Sequence, residues 1–392
     1  MEVYDELLRW AQDRGVELHG VAPRSIPGRG IGMVATKPLK ANERILLVPT
    51  SALRTIDTVR PKLKAALPKG TKVHATLAAD LALDKPTSKY WPWNAVVPSR
   101  ESITASLPLA WPAAGDHSRL PPPPPLLTKY LPKPALALLH KQQSNFTRDW
   151  TAIQQASSLP TITRQEYLHF WLLTNTRTFY HETRRTAATL ARDDRMVLQP
   201  VADLFNHADA GCEVAFGAAS FTVTADRAYA EGEEVYICYG QHANDFLLVE
   251  YGFVLPPAQN RWDEVCLDDA VLPELSERFR GVLEAKGFLG GYVLDARTVC
   301  YRTQVALRLL AGVPVGEWER LVEEGEDGGK VLQGKVDGLL VRILNKYRGT
   351  VEGTIRELEG LEVGQPYQRE VLCTRWQQIR TLIDQTIERL GP

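Results

Sequence analysis

The stretch "VADLFNHADAG", beginning at Val201, sets Asp203, Phe205, Asn206 and His207 close together ahead of a glycine. Each candidate residue also has a plain structural reading. Asn206-His207 reads as a turn or a satisfied polar pair, and Arg177 in "NTRTF" as a solvated helix face or an ion pair. Tyr239 reads as a strand aromatic, and Tyr251 and Phe253 in "YGF" as packing. The chemistry open to such a set is narrowed by what the sequence lacks. The eight histidines show no H-x-x-x-H or H-E-x-x-H spacing and the five cysteines no C-x-x-C pair, so no metal is expected. Gly28, Gly30 and Gly32 in "GRGIGMVAT" suggest a dinucleotide loop, but that motif needs a helix immediately after it. Here a β-branched run follows instead.

The elements that must hold these residues alternate in character. Residues 3–14 read as an amphipathic helix ended by Gly15. "IGMVAT" and "RILLVP", joined by the turn-rich "KPLKANE", read as a β-hairpin. From Lys85 to about Pro160 the chain is rich in Pro and Trp, and the prolines at 121–125 form a stiff polyproline tract. That tract is expected to be an ordered loop, with recruitment of a partner domain as the alternative. Two helical patterns follow, and Thr163 with Glu166 has the spacing of a capping box. Strands resume in "CEVAFG", "SFTVTADRAYA" and "EEVYICYG". Beyond Pro256, amphipathic patterns predict helices at 272–286, 298–311, 330–348 and 366–390. The fold class is therefore α+β: a β-rich core with a helical insertion, then an all-α C-terminal domain.

Composition sets the class of partner. With 392 residues, 44% of them hydrophobic, the chain can build more than one core. A net charge of −1 offers no bulk attraction to nucleic acid or to an anionic membrane. No apolar run approaches the roughly 18 residues of a membrane span, and the acidic start is unlike a secretory signal. Five scattered cysteines fit reduced thiols in the cytoplasm or nucleus. A monomer is expected.

Order and spacing carry more than any single residue. The series "GRGIGMVAT … NTRTF … VADLFNHADAG … EGEEVYICYG … NDFLLVEYGF" resembles the SET-domain protein methyltransferases. It is most similar to the branch typified by the Rubisco large-subunit methyltransferase. The resemblance covers essentially the whole chain. It implies a SET domain over 1–257, split by a helical insertion at about 86–195, and a helical substrate-binding domain over 258–392. It implies S-adenosylmethionine as methyl donor, S-adenosylhomocysteine as product, and a Tyr239 beside the transferred methyl. Cofactor contacts are implied for Arg29, Gly30, Ile31, Arg177, Asn206, His207, Tyr239, Tyr251 and Phe253, with Arg177 facing the cofactor carboxylate. The acceptor channel is implied for Phe179, Asp203, Phe205 and Tyr239. In this family the Asn-His segment also lies in a knot-like threading of the chain.

Two positions depart from the Rubisco-type pattern. Arg29 stands where that type often has an acidic residue, which would reverse the sign of any side-chain contact. Cys212 stands where it carries a channel aromatic, and it is read here as a smaller lining residue with a structural thiol. The resemblance implies a protein-lysine N-methyltransferase acting on a non-histone substrate of the ribosomal-protein or translation-factor type. Histidine as acceptor, known in a related branch that modifies actin, is one alternative. A non-catalytic cofactor-binding docking protein is the other.

Overall fold

The computed structural model describes residues 3–111, 127–217, 219–324 and 332–391, so the polyproline reading of 121–125 lies outside the described residues. The chain forms two compact units. The first comprises Met1–Ala110, Leu139–Gln241 and Glu250–Gly252; the second comprises Trp111–Leu138, His242–Val249 and Phe253–Pro392.

The first unit is organised on a seven-stranded sheet. Its strands are β1 (Glu17–Leu18), β2 (Val21–Ile26), β3 (Gly30–Ala35), β4 (Arg44–Pro49), β7 (Asn206–Phe216), β8 (Ser220–Thr224) and β9 (Glu234–Ile237). A separate pair is formed by β5 (Thr178–Tyr180) and β6 (Met196–Leu198). The sheet order is β1-β4-β8-β7-β9-β3-β2, antiparallel except for the parallel pairing of β7 with β9.

The glycine-rich stretch is a strand-turn-strand, but the hairpin expected between "IGMVAT" and "RILLVP" does not form. β3 pairs instead with β2, across a tight turn that uses Gly28 at φ 75° and Gly30 at φ 73°. The reason lies in the segment after β3. Leu39 N–H bonds Tyr229 O at 2.9 Å and Asn42 N–H bonds Ala225 O at 2.8 Å. The connection therefore satisfies its backbone on the loop after β8 and delivers β4 to β8, away from β3.

Helices precede the expected insertion as well as filling it. Pro61–Ala66 and Val73–Ala82 come first; Arg100–Ser106, Lys133–Gln155 and Arg164–Arg177 follow. Val73–Ala82 has almost every residue buried, so it lacks the polar face that makes a helix visible as a periodicity. Arg164–Arg177 begins at the capping box of Thr163 and Glu166, with both reciprocal bonds present. It stops at Arg177 because Thr178–Tyr180 is drawn into a ladder with Met196–Leu198.

The second unit is mainly helical, with Glu277–Ala285, Tyr301–Leu310, Val315–Glu324, Gln333–Glu359 and Pro366–Leu390 packed on their own apolar core. It is not wholly α: β10 (Glu264–Cys266) and β11 (Val293–Asp295) form a short antiparallel ladder. Three-residue strands in an otherwise helical run carry too little alternation to stand out in sequence. The segment 242–249 joins this unit through buried polar bonds. Asp245 Oδ1 takes Arg375 Nε at 2.7 Å, and Gln378 Oε1 takes Asn244 Nδ2 at 2.9 Å. Among the described residues, no helix is long and apolar enough to cross a membrane.

Candidate active site

The site in the first unit grows from the crossing of β7 and β9. Asn206 and His207 open β7 and lie in parallel register with Tyr236 and Ile237 of β9. The register then slips, because Cys212 also faces Ile237. Gly211 makes this close passage possible: a Cβ there would lie 2.7 Å from the Tyr236 carbonyl oxygen.

That crossing holds Tyr239 from two sides. Its backbone N–H donates to His207 Nδ1 at 3.0 Å, and its hydroxyl donates to the Phe205 carbonyl at 2.6 Å. Its ring lies 5.0 Å from those of both His207 and Tyr251. Burial pushes the Tyr239 phenol well above its ordinary pKa, and Tyr251 is pushed up to about 12 for the same reason. Tyr239 therefore stays a neutral phenol at physiological pH, its hydroxyl given to the Phe205 carbonyl.

Arg177, at the end of its helix, is fixed by Asp203. Its Nη1 donates to the Asp203 carboxylate at 2.8 Å and to the Asp203 carbonyl at 3.0 Å. Trp93 Nε1 donates to the same carboxylate at 3.0 Å. Burial raises the Asp203 pKa while the Arg177 charge and these bonds oppose the rise. Arg177 Nε is buried without a hydrogen-bond partner among the described residues. Both bonds use Nη1, so the guanidinium is held at one nitrogen where it borders the cleft. Two residues before Asp203, Val201 adopts φ 77°, a strained conformation for a β-branched residue.

Arg177 and Asp203, with the two tyrosines, border a cleft of about 240 Å³. Of the residues expected from sequence, it brings together Arg177, Phe179, Asp203, Tyr239 and Tyr251. Its remaining walls include Tyr180, Val214, Phe216, Phe221 and Cys238. The Phe179 and Phe221 rings meet edge to face at 5.6 Å, and Phe216 and Phe221 lie at 4.7 Å. The cleft thus joins an apolar, aromatic wall to a polar end.

Other expected residues do not reach it. The Phe205 side chain is wholly buried in the core, and only its carbonyl serves the site, through Tyr239. Cys212 is also buried, with Sγ donating to Asp226 Oδ1 at 3.5 Å, and burial raises its pKa. The wall position lies farther along β7, at Val214 and Phe216, where two-residue alternation was the available signal. Gly30 and Ile31 open β3, paired with Ile26 and Ser25, outside the cleft lining, and Phe253 belongs to the second unit. Arg29 turns its side chain onto Glu234 and Tyr236, at 2.8 and 2.9 Å. Asn206 Nδ2 meets the same Glu234 at 2.7 Å. Glu234, Tyr236 and Trp93 were not singled out in the sequence, because their roles are to hold other side chains.

Comparison with known proteins agrees with this architecture. The SET domain family model matches residues 30–240, and the model described as the ribosomal lysine N-methyltransferase 2 C-terminal domain matches residues 263–389. SET domain-containing protein 4 of Mus musculus is 26% identical over 331 residues, covering 78% of this chain and 72% of that protein. Ribosomal lysine N-methyltransferase 2 of Saccharomyces cerevisiae is 25% identical over 325 residues, covering 70% of this chain and 64% of that protein. The structure of Rubisco LSMT bound to sinefungin and monomethyllysine superposes with a TM-score of 0.62 at 18% identity. That match covers 100% of this chain and 93% of the other, and so identifies the fold.

Proposed function

The chain belongs to the SET-domain family, and from that premise we propose that it is an S-adenosylmethionine-dependent protein-lysine N-methyltransferase with a non-histone substrate. The observation that supports this most strongly is the cleft itself. It sets a doubly held Tyr239 between an aromatic wall and an Arg177 held at Nη1. Solved structures of Rubisco LSMT, which shares the fold, hold AdoMet, AdoHcy, and lysine or methyllysine.

The residues fit such a cofactor. Arg177 would take its carboxylate and Asn206 its ammonium, while Tyr251 packs against the purine. When bound, the cofactor supplies a sulfonium methyl already activated for displacement, so no metal or covalent intermediate is required. The protein's task is to align the acceptor and keep it neutral. A free lysine has a pKa of about 10.4, so presenting its neutral amine at pH 7 costs roughly 4–5 kcal/mol. The apolar wall of Phe179, Phe216 and Phe221 disfavours the ammonium form and lowers that cost. Tyr239, fixed in place before reaction, orders the polar end with no reorganisation. Entry of the two substrates from opposite sides would complete the alignment.

The second unit would contribute protein-substrate recognition, in keeping with the ribosomal methyltransferase model that it matches. Fungal relatives described as ribosomal lysine N-methyltransferases favour a ribosomal or translation-factor target. The test is incubation of the protein with tritiated S-adenosylmethionine and an undermethylated cell extract, beside the Y239F variant. Label on a protein band with the wild type alone supports the reading. Measurable cofactor binding without transfer to any protein would favour a docking role instead.

A further inference from the structure

The Arg29–Glu234 pair has a consequence for Asn206. Glu234 accepts the Asn206 carboxamide N–H through Oε1 at 2.7 Å. Its other oxygen takes the Tyr236 hydroxyl at 2.8 Å and Arg29 Nη2 at 2.8 Å. Arg29 Nη1 in turn donates to the Tyr236 hydroxyl at 2.9 Å, closing a ring of three side chains. The Glu234 side chain is only 9% exposed, whereas that of Arg29 is 54% exposed. The pair rests directly on β3. A Cβ at Gly32 would lie 2.6 Å from Glu234 Oε1 and 2.9 Å from Asn206 Nδ2, so a side chain there would displace both.

A carboxylate can only accept hydrogen bonds. Facing one, the Asn206 amide must present its NH2 group and turn its carbonyl oxygen the other way. We infer that Glu234, braced by Arg29 and Tyr236, is a positioning residue that fixes the polarity of Asn206 so that its oxygen receives the α-ammonium of the methyl donor. This rests on the assignment of Asn206 to the cofactor in the proposed function. Arg29 then acts through Glu234 and does not touch the ligand. Its positive charge beside the turn is consistent with that role, because it holds the carboxylate to which the amide is tied. With Gln at position 234 the partner could donate or accept, and Asn206 would be free to settle in either orientation.

The inference is tested with S-adenosylhomocysteine and an analogue lacking only the α-amino group. Calorimetry would be run on the wild type, E234Q and R29A, with melting curves for each. In the wild type, removing the amino group should weaken binding roughly tenfold or more, as expected for a charged hydrogen bond. In E234Q the same removal should cost less than about twofold, because the two changes act on one contact. R29A keeps the Glu234–Asn206 bond and should weaken S-adenosylhomocysteine only about two- to threefold, with the amino-group preference retained. Equal weakening of both ligands by E234Q would overturn the inference, since that is what a general loss of structure produces. Undiminished binding of S-adenosylhomocysteine by E234Q would overturn it too. If the wild type itself fails to bind S-adenosylhomocysteine, the cofactor reading of the site falls, and the failure is distinguishable from the other two.

Discussion

Arg177 of the first unit and Arg375 of the second are each tied to aspartate, and the two are finished differently. In the second unit Arg375 is fully buried and uses three nitrogens: Nε to Asp245 at 2.7 Å, Nη1 to Asp263 at 2.8 Å and Nη2 to the Glu264 carbonyl at 2.8 Å. In the first unit Arg177 is bound by Asp203 through Nη1, borders a cleft and leaves Nε buried with no hydrogen-bond partner among the described residues. A saturated guanidinium is a structural tie, because any ligand would have to compete with bonds already made. Arg177, bonded through Nη1 where it borders the cleft, is the one to which the proposed function gives a ligand.

Y239F removes the hydroxyl bonded to the Phe205 carbonyl and should lower turnover by about 100-fold or more, by analogy with the loss of a preorganised active-site donor. Cofactor affinity should stay within about threefold, measured by calorimetry. Comparable losses in both would move Tyr239 from catalysis to binding. R375K, which keeps the charge but loses the fork, should cost roughly 2–4 kcal/mol of stability in denaturant titration. Its S-adenosylhomocysteine affinity should be unchanged. R177K should do the reverse, weakening S-adenosylhomocysteine roughly tenfold with a small change in melting temperature. Similar behaviour by the two lysine variants would end the distinction.

Among the described residues both ring nitrogens of His74 are buried without a hydrogen-bond partner, the Asp149 carboxylate lying 4.0 Å from Nδ1, yet the residue does not line the cleft. Burial, followed by the nearby Arg148 charge, depresses its pKa to about 3. Its folded value thus lies below the ordinary value of about 6.5, and the unfolded chain binds more protons between the two. Stability should therefore fall as pH drops from about 6.5 towards 3, by at most about 1.4 kcal/mol per pH unit from this group. H74F should flatten that part of the profile without altering cofactor affinity at pH 7.5. His74, outside the cleft, is thereby read out in stability, and Arg177, bordering it, in binding.

Sequence made some of this visible and hid the rest for physical reasons. The capping box at Thr163 and Glu166 is local chemistry and stands where its spacing places it. The candidate residues Arg177, Phe179, Asp203, Tyr239 and Tyr251 could be named because their order in the chain resembles a family, and the cleft brings them together. Pairing between strands was less accessible. The β2–β3 and β4–β8 ladders depend on where the connecting segment satisfies its backbone, a long-range matter that the local pattern does not contain. The helix Val73–Ala82 was hidden by its own burial. Supporting residues were hardest of all: Trp93 meets Asp203, and Glu234 meets Asn206, only after the fold has closed.

Whether the cleft methylates a protein lysine, as proposed, is decided by amino-acid analysis of the methylated product. Protein labelled from tritiated S-adenosylmethionine by the wild-type chain would be hydrolysed to amino acids and separated against methyl-lysine and methyl-histidine standards. Label is expected in methyl-lysine, and none when Y239F replaces the wild type. Label in methyl-histidine would contradict the lysine assignment, and equal labelling by Y239F would contradict the site.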